Sequence, residues 1–130
     1  MIRLSTLLYF LAIACYVASF LMPTFEIGET PQYGYTALMV AFLAIKEDMV
    51  GGPLVFLMGL SNPAFWAGAV FFIRGYTWRA LGASCLALLL GCRFVFGDLI
   101  LIGYFVWLGG MTILILASVT RLLHRTPDRG

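Results

Sequence analysis

The chain has 130 residues, of which 62% are hydrophobic and only 11% charged, with a formal net charge of +2 and a mean hydropathy of +1.00. A typical soluble domain carries about 45–50% apolar and about 25% charged residues, so the composition predicts an integral membrane protein rather than a soluble domain. The eight Lys and Arg form no basic patch, and no nucleic-acid partner is expected.

A helix needs roughly 20 residues to cross a hydrocarbon layer about 30 Å thick. The chain therefore has room for about four spans, forms one domain over 1–130, and leaves little mass outside the membrane. Leu4 to Met22 is the first apolar run, stopped by Pro23. Arg3 before it and the small residues Ala14 and Ala18 resemble a secretory signal, and "LAIAC" a lipoprotein site. Three more apolar segments follow, so we expect the run to be retained as a span over 4–22. "PTFEIGETPQYG", residues 23–34, has the turn residues and carboxylates of a solvated loop. "YTALMVAFLAI", Tyr35 to Ile45, is apolar but too short to cross, and Lys46, Glu47 and Asp48 close it. It is expected as an interfacial or re-entrant helix over about 35–46.

The second span is predicted over about 49–73, with Pro53 in its first turn, where a missing N–H is harmless. Arg74 and Arg79 flank the turn "RGYTWR". The third span covers about 80–96, a turn falls at Gly97 and Asp98, and the fourth covers about 99–123 before the polar tail "HRTPDRG".

Charge placement sets a sidedness. With the N-terminus in the cytoplasm, Arg3, Arg74, Arg79, Arg121, Arg125 and Arg129 lie inside, and only Lys46 and Arg93 lie outside, the positive-inside pattern. Glu26, Glu29, Glu47, Asp48 and Asp98 face out, and Asp128 faces in. Tyr33 and Tyr35 supply an outer aromatic belt, Tyr76 and Trp78 an inner one. The expected fold is all-α: an integral membrane bundle of four transmembrane helices, N-in and C-in, with a short interfacial helix in the first outer loop. The expected location is the cell membrane, multi-pass, as in a bacterial inner membrane.

Membrane helices associate through close backbone approach, which small residues permit. Candidate stripes are Ala12 and Ser19, then Gly52 and Gly59, then Ala83, Ala87 and Gly91, and finally Gly103, Gly110 and Ala117. Seven-residue spacing suits left-handed crossings, and the four-residue spacing of the third stripe suits a tighter right-handed one. The three cysteines, Cys15, Cys85 and Cys92, fall in apolar segments and read as buried packing thiols. Cys85 and Cys92 lie about 10 Å apart along one helix, too far for a disulfide.

"GLSNPAFW", Gly59 to Trp66, places an amide and a proline inside the second span. Pro63 cannot donate to the Gly59 carbonyl and crowds it, so the helix is expected to kink there. In lipid a freed carbonyl needs a partner. The simplest use of Ser61 and Asn62 is to patch this break or to bond a neighbouring helix, worth about 0.6–2 kcal/mol. The alternative is a cavity for a small amphipathic or lipid-like ligand, formed by Asn62, Pro63, Trp66 and Trp107 with Tyr104 nearby. Asn62-Pro63-Ala64 also matches the three-residue signature of aquaporins. Those channels carry two such motifs on half-helices of an inverted repeat, so one copy implies no water-channel role.

Arg93 is the most embedded charge, near the outer end of the third span. Its expected use is to snorkel to the outer boundary and pair with Asp98 across the turn, with Glu29 or Asp48 as other acids within reach; the alternative is an anion or headgroup site at the outer mouth. His124 stands alone beside Arg125. The sequence contains no Ser-His-Asp set, embedded acid pair, phosphate loop or metal cluster, and no cofactor, metal or catalytic residue is expected. The first, second and fourth spans lack a central carboxylate, which disfavours proton-coupled transport.

The outer loop with its short apolar helix, "NPAFW" in the second span, the arginine turn and "GYFVWLGGM", Gly103 to Met111, come in an order that resembles a diffuse group of small four-span bacterial inner-membrane proteins of unknown function. The resemblance implies architecture and no activity. The expected function is a non-catalytic accessory or docking subunit, with membrane lipids and a membrane protein or its own copies as partners. The alternatives are a small oligomeric permease or lipid-binding protein, and an immunity protein against a membrane-acting toxin.

Overall fold

A computed structural model of the chain describes residues 3–27, 29–36, 39, 52–92 and 101–124. Most of them are helical. Helix α1 spans Leu4–Phe20, and strands β1 (Pro23–Ile27) and β2 (Thr30–Tyr33) follow. Helices α2 (Gly52–Gly59), α3 (Ser61–Ile73), α4 (Thr77–Gly91) and α5 (Ile102–Leu123) complete the order. Leu60 joins α2 to α3 in a right-handed helical conformation, φ −66° and ψ −16°, and its N–H reaches the Phe56 carbonyl at 3.0 Å. Two helical stretches are long and apolar enough to cross a membrane, the 18 residues Phe56–Ile73 and the 22 residues Ile102–Leu123. At 1.5 Å per residue they measure about 27 and 33 Å. The helices Leu4–Phe20 and Thr77–Gly91 are apolar but shorter.

Three expectations need correction. The segment after α1 is not a plain loop, and the fold is therefore not purely α: β1 and β2 pair antiparallel, Ile27 opposite Thr30 and Pro23 opposite Tyr33. Its closing turn carries Glu29 at φ 67°, in the left-handed region that two-residue hairpin turns demand. Pro23 and Pro31 fit because, among the described residues, each strand is paired on one side only, and edge strands tolerate proline. Helix α4 begins at Thr77, three residues before the predicted Ala80, which puts Arg79 inside the helix, its guanidinium 5.1 Å from the Tyr76 ring centre. The early start follows from the end of α3. Gly75, at φ 82°, donates to Phe72 O at 3.1 Å and Tyr76 donates to Phe71 O at 2.9 Å, a Schellman cap that reverses the chain within residues 74–76. The cysteines are not buried: Cys15 and Cys85 are half-buried and Cys92 is exposed. Of the interfacial helix expected over about 35–46, residues 35, 36 and 39 are helical; the rest of it lies outside the described residues, as do residues 93–100 and 125–130.

Helix α1 packs most extensively on α5, α5 on α4, and α4 on α3. The glycines show why. A Cβ on Gly110 would sit 3.1 Å from Ala12 O and 3.2 Å from Tyr16 N, so α1 and α5 touch backbone to backbone. On Gly68 it would meet Ser84 Oγ at 2.7 Å, and on Gly91 it would meet Leu108 at 3.0 Å. Helices α1 and α3 meet differently, through ring faces: Tyr9 stacks on Phe72 with centroids 5.0 Å apart, and Tyr16 stacks on Phe65 at 4.1 Å. These two rungs, two turns apart on each helix, fix an antiparallel register. The hairpin closes one end of the bundle. Leu101 N–H bonds Thr24 O at 3.0 Å, and Gly103 leaves room for the Pro23 carbonyl. At the other end the start of α1, the turn after α3 and the end of α5 come together, with Arg121 donating to the Phe72 carbonyl.

The buried face of α4 is Thr77, Ala80, Ser84, Ala87 and Gly91. This is a seven-residue repeat, so Ser84, rather than the expected Ala83, belongs to it. Its hydroxyl is satisfied within the helix, on Ala80 O at 2.7 Å, as is that of Ser118 on Leu114 O at 3.0 Å. Ala12, Ser19, Gly68, Ala69, Gly103, Gly110 and Ala117 fill the other inner faces. Large apolar side chains lie on the outside: Leu7, Phe10, Val70, Ile73 at 67% exposure, Leu86, Leu89 at 74%, Phe105 and Leu116.

Candidate functional site

Asn62 sits in the first turn of α3, immediately before Pro63. Pro63 has no N–H for the carbonyl four residues back, that of Gly59. Asn62 Nδ2 donates to that same carbonyl at 3.1 Å, and beside it Ser61 Oγ donates to Met58 O at 2.5 Å. The amide thus supplies the bond that the proline removes.

The other end of the amide reaches two more helices. Tyr16 on α1 donates its hydroxyl to Asn62 Oδ1 at 2.5 Å, and Trp107 on α5 donates its indole Nε1–H to the same oxygen at 3.1 Å. Because an indole N–H can only donate, the atom facing Trp107 must be the amide oxygen, which fixes the orientation of the side chain. Both acceptor positions of Oδ1 are then taken by this chain's own donors. Tyr16 is 1% and Trp107 7% exposed, so water competes little for these bonds. Aromatic packing surrounds them. Phe65 stacks on Tyr16, Trp66 meets Tyr16 edge-on at 5.4 Å, and Tyr104 tilts against Trp107 at 5.7 Å. Tyr104 donates its hydroxyl to the Gly91 carbonyl of α4. Asn62, Trp107 and Tyr104 together tie α3 to α1, α5 and α4.

Among the four residues expected to line a ligand site, the fold unites Asn62 and Trp107. It turns Pro63 and Trp66 outward: Pro63 is exposed and Trp66 is 44% exposed. Sequence pattern alone misses Tyr16, which holds the shortest bond to Asn62. Its signal was available, a hydroxyl-bearing ring at the centre of an aliphatic span. Arg93 and Asp98 lie outside the described residues. Among the described residues no buried side-chain nitrogen or oxygen lacks a hydrogen-bond partner.

Compared with protein-family models, curated proteins and solved structures, the chain matches none.

Proposed function

We propose that this chain is an integral membrane protein of four spans, with both ends cytoplasmic, and a non-catalytic accessory or docking subunit of a larger membrane assembly or of its own copies. The observation that carries the reading is the distribution of side chains in the bundle. Soluble proteins bury Leu, Ile and Phe and expose polar groups. Here the inner faces combine Gly, Ala and Ser with aromatic rings such as Tyr16, Phe65 and Trp107, and the outer faces carry Leu7, Phe10, Ile73, Leu86, Leu89 and Leu116. Lipid supplies no reason to bury leucine, whereas close backbone packing requires small residues inside. The gathering of Arg3 and Arg121 at one end and of Glu26 and Glu29 on the hairpin at the other supports the sidedness.

The central polar cluster supports a structural role. Asn62 Oδ1 is occupied by Tyr16 and Trp107, so the amide acts as a rivet between helices, and the reading does not extend to transport through this point. Backbone remains open on the outside at Gly82 and Gly109, where an added Cβ would meet nothing within 4 Å; such notches let another helix approach closely.

Purification from membranes in a mild detergent, followed by native mass spectrometry, tests the role. A stoichiometric membrane partner or a defined oligomer is expected. A monomer with no co-purifying protein overturns the docking assignment, and recovery of a soluble protein without detergent overturns the membrane assignment.

A further inference from the structure

At the end of the bundle opposite the hairpin, a cavity of about 530 Å³ opens between α1, the turn after α3 and the end of α5. Arg3, Ser5, Thr120, Arg121 and His124 line it. Two guanidinium groups and an imidazole therefore border one hollow with two hydroxyl-bearing side chains. Arg3 precedes α1 with no side-chain cap, and the first amides of a helix have no carbonyl of their own helix to serve. Arg121 is anchored by its bond to the Phe72 carbonyl and by its position over the Phe72 ring at 4.2 Å. His124 Nδ1 donates to Thr120 O at 2.8 Å, since a carbonyl can only accept.

We propose that this pocket is an anion site that takes a net-anionic phosphate group. Guanidinium groups bind phosphate through paired charge-assisted hydrogen bonds, and basic pockets between helices at the cytoplasmic membrane boundary suit anionic headgroups. The cavity is larger than a bare phosphate and admits a headgroup with its ester substituents. The same chemistry is offered by the headgroup of an anionic phospholipid and by free phosphate. The site rests on the membrane reading and orientation proposed above but not on the docking role.

The test uses the full chain, purified in dodecyl maltoside and stripped of lipid. In one arm, phosphatidylglycerol or phosphatidylcholine is titrated in and retention is read by native mass spectrometry. In the other, inorganic phosphate replaces chloride at constant ionic strength and Tm is read. Preferential retention of phosphatidylglycerol without a phosphate effect on Tm assigns the site to lipid; a rise in Tm with phosphate assigns it to the free anion. In either case Arg3→Gln is expected to weaken the response about tenfold, the loss of one charge-assisted bond. Arg79→Gln, which removes a charge at the same end but outside the pocket, should leave it unchanged. Because Arg121→Gln also removes a bond to α3, the double variant Arg3→Gln with His124→Gln serves as the second probe. Equal retention of the two lipids with no phosphate effect overturns the proposal. So does a response in the Arg3 and double variants equal to that of the unmodified chain.

Discussion

The side chain of Asn62 bonds the Gly59 carbonyl at 3.1 Å, the carbonyl that Pro63 leaves without a backbone donor. An amide beside a helix break has thus become both a patch for the break and, through its oxygen, the meeting point of three helices. The pairing makes the two residues energetically dependent. Asn62→Leu strands the Tyr16 hydroxyl, the Trp107 N–H and the Gly59 carbonyl, and is expected to cost about 1–3 kcal/mol. Pro63→Ala returns a backbone donor to Gly59, so the same change in that background should cost less. A double-mutant cycle read by unfolding in detergent micelles checks this, and a coupling energy of zero would mean the patch is idle.

Tyr16 separates into two contributions. Tyr16→Phe removes the hydroxyl on Asn62 but keeps the stack on Phe65, and should cost about 0.6–1.7 kcal/mol, the range of interhelical hydrogen bonds in bilayers. Tyr16→Ala also removes the ring and should cost about 3–5 kcal/mol, as large aromatic deletions do. Equal losses for the two variants would show that the stack contributes nothing.

Adjacent glycines on α5 provide an internal control. An alanine methyl at Gly110 would press on Ala12 O and Tyr16 N at 3.1 and 3.2 Å, whereas at Gly109 it would meet nothing within 4 Å. Gly110→Ala is expected to destabilise by about 1–3 kcal/mol through overpacking. Gly109→Ala should be neutral, or stabilise by up to about 1 kcal/mol through helix propensity. Thermal unfolding of both variants under one condition checks the contrast.

The proposed orientation predicts a labelling pattern. In a cysteine-free background, Glu29→Cys on the hairpin should react with a membrane-impermeant maleimide added to intact spheroplasts. His124→Cys should react only after the membrane is opened. The reverse pattern would invert the topology, and labelling of both from outside would remove the even number of crossings.

Much of this architecture is legible in the residues because the strongest terms are compositional. Long apolar runs bounded by arginines and prolines mark where α1, the helices over Gly52–Ile73 and α5 fall. The hairpin escaped because its strands are five and four residues long, carry prolines, and owe their pairing to the docking of Thr24 on Leu101. The four-residue spacing of Ala83, Ala87 and Gly91 picks out two of the buried residues of α4 but not Ser84, whose hydroxyl folds back on Ala80 so that the side chain packs as a small residue. At the site, Asn62 and Trp107 stood out as anomalies in lipid-like sequence. Tyr16 did not, since its role exists only once α1 and α3 are laid side by side.

The partnership of Ala12 with Gly110 joins two helices far apart in the chain, α1 and α5. Roughly 80 residues separate Phe20 from Ile102, which at about 5–20 residues per second is about 4–16 seconds of translation. During that interval Tyr16 can meet Asn62 and Phe65 on α3, but the Ala12 face of α1 has no mate until the ribosome has delivered α5. Closure of the bundle therefore waits for α5, and until then one face of nascent α1 stays unmatched.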